Sequence, residues 1–263
     1  MGLTKIQWTT TEHEGNSYEG FTFNTHWGCV EQGTPNWSEC DNCYAKSFSN
    51  RFNEELWGHD KPRKFQSEKY WKQPYNWNKK AESLDIRLKV FANSMSDWAE
   101  GRKDLEEPRE RLFNVIKETP NLDWLLLTKL PNRITERGYL KNVWYGTSVG
   151  VNNSRWRIDK LRKISSVPVR FLSIEPMLEA LPDLDLTNIN WIVVGGESGS
   201  KARPIKLEWI EDIVEQGRRA NIPVFVKQLG VCLSKELNLI DHKGGDINEF
   251  PKHIQIRNFP LIK

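Results

Sequence analysis

Long apolar runs are missing from this 263-residue chain. No stretch approaches the roughly 20 apolar residues needed to cross a bilayer. The opening residues Met1-Gly2-Leu3-Thr4-Lys5-Ile6-Gln7-Trp8 carry no apolar core of the kind a secretory leader needs. A cytoplasmic location without a membrane partner is therefore expected. Internal repeats, low-complexity tracts and Gly/Ser linkers are absent as well, so a single domain over 1–263 is expected, a length common among α/β barrels. Cysteine is scarce, at four residues. In a reducing compartment such thiols bind metal or do redox chemistry more often than they form disulfides.

Three of the four stand close together, at Cys29, Cys40 and Cys43, and the fourth, Cys232, lies far downstream. Three thiolates offered to one ion or cluster leave a coordination position unfilled, which separates a catalytic site from a closed structural one. Zinc is one candidate, because Cys40-x2-Cys43 is half of a zinc knuckle and His26 or Cys232 could complete four ligands. A [4Fe–4S] cluster with one iron open to substrate suits three soft thiolates equally well. Ligand count alone does not separate the two.

Short apolar runs recur at Phe21–Trp27, Leu88–Ala92, Trp124–Leu127, Val143–Tyr145, Val169–Ile174, Trp191–Val194 and Ile222–Val226. Runs without alternation suit parallel strands buried on both faces. Helical spacing appears between them. Leu207, Ile210, Ile213, Val214 and Gly217 mark one segment, Ile158, Leu161 and Ile164 follow an Asn153/Ser154 cap, and a third runs from Asp104 to Thr119-Pro120. The alternation predicts an α/β fold built of βαβ units, a complete or partial (β/α) TIM-type barrel, with a doubly wound open sheet as the competitor. Residues 30–86 read as a cysteine-containing and basic, aromatic insertion, with a helix over Tyr44–Leu56 followed by an irregular basic segment. Residues 229–263 read as a C-terminal extension.

Active sites of such folds gather at the carboxyl ends of the strands, and here those ends are polar. The runs lead into Asn93-Ser94-Met95-Ser96-Asp97, Thr128-Lys129, Gly146-Thr147-Ser148, Glu175-Pro176, Gly195-Gly196-Glu197-Ser198 and Lys227-Gln228. Solvated loops account for many polar residues after strands. They account less well for two carboxylates and two lysines directly at apolar tips, where charge is costly unless paired. Lys129, Glu175, Glu197 and Lys227 are thus candidate catalytic residues lining one pocket.

Formal net charge is +3, yet residues 61–80 alone carry seven Lys or Arg against one Glu, leaving −3 for the remainder. Lysines interleaved with Tyr70, Trp71, Tyr75 and Trp77 suggest a nucleic-acid surface, cations meeting phosphates and rings stacking on bases. The competing expectation is that the Trp residues pin this segment to the core.

Taken in order, Lys5-Ile6-Gln7-Trp8-Thr9, Gly28-Cys29, Cys40-Asp41-Asn42-Cys43-Tyr44-Ala45, Asn93-Ser94-Met95-Ser96-Asp97, Leu127-Thr128-Lys129, Gly195-Gly196-Glu197-Ser198-Gly199 and Lys227-Gln228 resemble one family over nearly the whole chain. It is the phage-derived three-Cys-motif family of unknown function, found in phages and other mobile elements. That family is similar to radical S-adenosylmethionine (SAM) enzymes, whose three cysteines hold a [4Fe–4S] cluster with the open iron chelated by SAM, the source of a 5′-deoxyadenosyl radical. The resemblance implies Cys29, Cys40 and Cys43 as ligands, although ten residues separate the first two where the radical SAM pattern has three. The aromatic residue that commonly precedes the last cysteine is Asn42 here, with Tyr44 following.

The expected function is a radical SAM-like enzyme modifying a nucleic-acid base or nucleotide, encoded by a phage or mobile element and served by an electron-donor protein. SAM and substrate would be bound by Tyr44, Asn93, Ser94, Asp97, Thr128, Ser148, Ser198, Arg203 and Gln228. The alternatives are a zinc-stabilised nucleic-acid-binding protein without catalysis, and a metal-assisted hydrolase using Glu175 or Glu197 as general base.

Overall fold

Strands form where the apolar runs predict them. In the computed structural model, which describes residues 2–33 and 37–262, the chain divides into two compact units. One comprises Met1–Glu31, Ala45–Tyr145 and Ile164–Pro168, and the other Gln32–Tyr44, Gly146–Lys163 and Val169–Lys263.

The first unit begins with a hairpin of β1 (Thr11–His13) and β2 (Asn16–Tyr18), followed by β3 (Phe21–Phe23) and a short β4 (His26–Trp27). The single strand expected over Phe21–Trp27 is thus broken. Asn24 interrupts it, its N–H donating to the Tyr70 hydroxyl at 2.9 Å while its Oδ1 accepts the Met95 N–H at 2.8 Å. Helix α1 (Tyr44–Asn50) is shorter than the expected Tyr44–Leu56. It stops because the Ser49 hydroxyl donates to Glu54 O at 2.9 Å and Asn53 turns left-handed at φ 54°. β5 (Lys64–Phe65) then pairs antiparallel with β4.

The irregular insertion expected here is largely helical, with α2 (Glu68–Trp71) and α3 (Gln73–Ser83). Ser67 caps α2 and Pro74 occupies the first turn of α3, where its missing N–H costs nothing. Trp71, Pro74, Trp77 and Ala81 are buried at helical spacing, and Trp77 stacks on Phe21 at 4.4 Å. The Trp residues therefore pin this segment to the core as the crossover between β3 and β6 (Leu88–Ala92). Helix α4 (Glu106–Glu118) buries Leu112, Phe113, Val115 and Ile116, and β7 (Leu122–Thr128) and β8 (Val143–Ser148), whose last three residues belong to the second unit, follow.

The second unit holds α5 (Trp156–Leu161), β9 (Val169–Ile174), β10 (Trp191–Gly195), α6 (Leu207–Arg219), β11 (Val224–Gln228) and α7 (Val231–Glu236). β11 begins two residues later than Ile222 because Pro223 has no N–H for the ladder, though its carbonyl accepts from Ile192 at 3.1 Å.

The seven-stranded sheet has the order β3-β6-β7-β8-β9-β10-β11. Its β3–β6, β6–β7, β9–β10 and β10–β11 pairs are parallel. This sequential order lacks the reversal of a doubly wound sheet and is compatible with a partial barrel. Registers such as Phe23↔Ala92, Ala92↔Leu126 and Ile174↔Val194 bring the carboxyl ends of neighbouring strands level. The outer edges of β3 and β11 are covered. Thr22 N–H donates to Gly2 O at 2.9 Å, and the C-terminal extension passes Ile256–Asn258 along β11, with Val226 N–H donating to Ile256 O at 2.8 Å. Among the described residues no helix is long and apolar enough to cross a membrane.

Candidate metal and cofactor site

In the first unit, Gly28 and Cys29 follow β4. Gly28 has φ 103°, and a Cβ there would lie 2.5 Å from Leu56 O, so only glycine fits. Cys29 O accepts the Gly58 N–H at 3.0 Å. The loop from Leu56 to Arg63 is in turn pinned by Arg63, which donates to Leu56 O at 3.0 Å, to Gly58 O at 3.2 Å and to Glu100 Oε1 at 2.5 Å. Neither side chain of the Arg63–Glu100 pair exceeds 5% exposure.

Beyond β6, Asn93 adopts φ 58° and its amide donates to Thr25 Oγ1 at 2.9 Å and Ser96 Oγ at 2.8 Å. Ser94 Oγ accepts from Asn24 at 3.2 Å. Asp97 ties two loops together, accepting the Thr128 hydroxyl at 2.5 Å, the Ala99 N–H at 3.0 Å and the Lys129 N–H at 2.8 Å. Asp97, Thr128 and Lys129 are thus bonded together, with the Asp97 carboxylate occupied by local donors, while Asn93 bonds to Thr25 and Ser96.

His26 shares this cluster, its Nδ1 lying 2.8 Å from Thr25 Oγ1. Burial first, then the charges of Arg63 and Arg109, push its pKa down to about 3, with Arg102 adding and Asp104 opposing. A base whose pKa falls on folding leaves the unfolded chain binding more protons at acid pH. Stability is therefore lost as pH falls below about 6.5, by about 1.4 kcal/mol per unit down to about pH 3. In acid titrations followed by urea unfolding, His26→Gln should flatten this limb. An unchanged limb would rule His26 out as its source.

In the second unit, Cys40 and Cys43 share one turn, with Cys43 N–H donating to Cys40 O at 3.2 Å and Gln32 N–H donating to Cys40 Sγ at 3.3 Å. Every other residue of Glu39-Cys40-Asp41-Asn42-Cys43 is anchored to a loop at a strand end. Glu39 Oε1 accepts the Gly150 N–H at 3.0 Å and Arg157 Nη1 at 2.9 Å, while the same Nη1 donates to Ser148 O at 2.9 Å. Gly150 must be glycine here, since a Cβ would sit 2.1 Å from Pro176 O. Asn42 donates to Glu197 Oε2 at 3.1 Å and Lys201 O at 2.7 Å. Arg203 closes the arrangement, donating to Asp41 Oδ2 at 3.1 Å, Ser38 O at 2.9 Å and Glu197 Oε1 at 2.5 Å. Burial opposes the Arg203 charge, but bonding to Glu197 and the charges of Glu197 and Asp41 raise its pKa above the ordinary guanidinium value.

At the tips of β9 and β11, Glu175 Oε1 accepts from Lys227 Nζ and, at 3.1 Å, from Gln228 Nε2. Gln228 also donates to Gly196 O at 2.7 Å, beside Glu197. Ser198 is exposed, and Tyr44 is 61% exposed. Cys232 Sγ donates to Ala202 O at 3.2 Å, on the loop that holds Asn42.

Sequence reasoning missed Glu39, Arg157, Asp41 and Asn42 as supports of the cysteine turn. Arg157 stands beside Ile158 in a segment of helical spacing, but its burial shows only in the structure.

All four cysteines are thiols. Soft thiol donors fit an iron–sulfur or zinc group in kind, and the backbone N–H at Cys40 Sγ is the sort of bond that steadies a thiolate. Among the described residues, however, no group of three or more His, Cys, Asp or Glu is disposed to hold a metal ion. The structure offers the donors without a closed set.

No curated protein and no solved structure matches the chain. A family model described as a protein of unknown function (DUF5131) matches residues 3–252. With nearly its whole length covered, the chain belongs to the DUF5131 family.

Proposed function

We propose that the chain is a radical SAM-like enzyme on a partial (β/α) barrel, encoded by a phage or mobile element, that modifies a nucleic-acid base or nucleotide. Cys29, Cys40 and Cys43 would hold a [4Fe–4S] cluster, which with SAM would supply the radical chemistry, reduced by an electron-donor protein. The observation that carries this reading is the anchoring of Glu39, Asp41 and Asn42 around Cys40 and Cys43. Reactive groups need ligands held by a rigid supporting shell on regular elements, and here strand-end loops supply that shell.

Glu197 and Arg203 serve in this reading chiefly as positioning residues, because Glu197 already accepts from Arg203 and Asn42. Lys227 and Glu175 keep partial exposure, 23% and 17% of their side chains. Lys227 is therefore the cation best able to turn from Glu175 to a carboxylate or phosphate of a bound molecule. Asn93 and Lys129 would contribute to binding from their own cluster.

A zinc-stabilised nucleic-acid-binding protein is the second reading, favoured by the Cys40-x2-Cys43 turn itself. Metal analysis of protein purified without oxygen separates the two, with roughly four irons per chain expected for the enzyme. Stoichiometric zinc without iron would support the second reading and overturn the first.

A further inference from the structure

Helices α2 and α3 carry two opposite faces. At about 100° per residue, Lys69, Lys72, Asn76, Lys79, Lys80 and Ser83 fall within an arc of about 100°, and all six are exposed. Trp71, Pro74, Trp77 and Ala81 lie on the far side and are buried. Other cations of the basic segment are spent elsewhere. Lys61 pairs with Glu55 at 2.5 Å, Arg63 is buried against Glu100, and Lys64 pairs with Glu54. Four of its five rings are engaged too, while Phe65 is exposed. Trp77 stacks on Phe21, Trp71 lies under Arg111 at 4.4 Å, and the hydroxyls of Tyr70 and Tyr75 bond to Asn24 and Glu118. Glu68, the acid next to Lys69, is taken by Arg111 through two bonds of 2.6 Å. Among the described residues, no ion pair engages Lys69, Lys72, Lys79 or Lys80.

We infer that this lysine face is a docking surface for a nucleic-acid backbone, read through phosphates alone. Lys69 to Lys80 spans about 16 Å of helix, the axial length of about five nucleotide steps of one strand. Ammonium groups on exposed stems meet phosphates as point charges, while Asn76 adds a neutral donor and the Ser83 hydroxyl is held by Lys80 O at 2.8 Å. None of the six residues of this face carries a ring, so its contacts are expected to be independent of base sequence. The inference rests on the nucleic-acid part of the proposed function, not on its metal.

The test is fluorescence anisotropy with short labelled DNA and RNA strands and duplexes across a salt series. It compares the native chain with the variant Lys69→Glu/Lys72→Glu/Lys79→Glu/Lys80→Glu and with its all-Gln counterpart. Removing each lysine that meets a phosphate should flatten the slope of log K against log salt by about 0.7–0.9, about 3 for all four, and the full set should weaken binding at low salt at least about tenfold. The all-Gln variant keeps the test valid if charge reversal disturbs folding, since all four side chains are exposed. Unchanged affinity and slope in the all-Gln variant would overturn the inference. So would lysine-dependent binding to phosphatidylserine vesicles by a native chain that binds no nucleic acid. Lysine-dependent binding by an iron-free chain supports the inference while removing the enzyme reading. Full iron content with no lysine-dependent binding does the reverse.

Discussion

Arg157→Leu is expected to destabilise the protein by about 3–5 kcal/mol, the usual consequence of stranding one member of a buried ion pair. Arg157 is 4% exposed at its side chain and Glu39 0%, with 2.9 Å between Nη1 and Oε1. Removing the guanidinium leaves the carboxylate with the Gly150 N–H and takes a donor from Ser148 O. For a chain of this length the loss corresponds to a fall in Tm of roughly 10 °C. The variant Arg157→Leu/Glu39→Gln should recover part of the stability, because the uncompensated charge is then gone. Urea midpoints check both. A single variant within about 0.5 kcal/mol of the native chain would mean that the pair contributes little. Because Glu39 precedes Cys40, the single variant should also raise the alkylation rate of Cys40.

Glu100→Ala should have a similar effect in the first unit. Arg63 has no exposed side-chain surface, so its charge would remain buried beside backbone carbonyls that cannot neutralise it. The expected cost is again about 3–5 kcal/mol. Its consequence for the site differs from that of Arg157. The loop from Leu56 to Arg63 donates the Gly58 N–H to Cys29 O and packs where Gly28 lacks a side chain. Loosening it should therefore speed iodoacetamide labelling of Cys29 more than that of Cys40, as read by peptide mass. Equal acceleration at both thiols would point to global unfolding instead of release of this loop.

Much of the fold was legible because buried parallel strands need near-continuous apolar runs, and these stand out against a charged background. Leu88–Ala92 and Val169–Ile174 occupy their predicted positions, four other runs differ by a few residues at their ends, and Phe21–Trp27 is broken in two. The misreadings have local causes. Asn24 supplies side-chain bonds that replace strand pairing, and the bond from Ser49 to Glu54 ends α1 early. The helix over 68–83 was hidden because lysines surround its Trp71/Trp77 stripe and Pro74 looks like a breaker when it is in fact a first-turn residue.

The site divides in the same way. Polar residues at strand ends can be read from the chain, and charge directly at an apolar tip stands out because it is costly unless paired. Their pairing cannot, because Glu39 meets Arg157 across 118 positions and Asp41 meets Arg203 across 162. No local spacing encodes such pairs. Asp97 illustrates the difference: its place beyond β6 was legible, whereas its engagement with Thr128 and Lys129 was not.

Cys29, Cys40 and Cys43 are proposed to serve one iron–sulfur group. Iron per chain in anaerobically reconstituted protein, measured beside Cys29→Ala, tests it most directly. Roughly four irons with visible charge-transfer absorption are expected in the native chain, and almost none in the variant. Iron-free native protein, or metal content unchanged by Cys29→Ala, would contradict it.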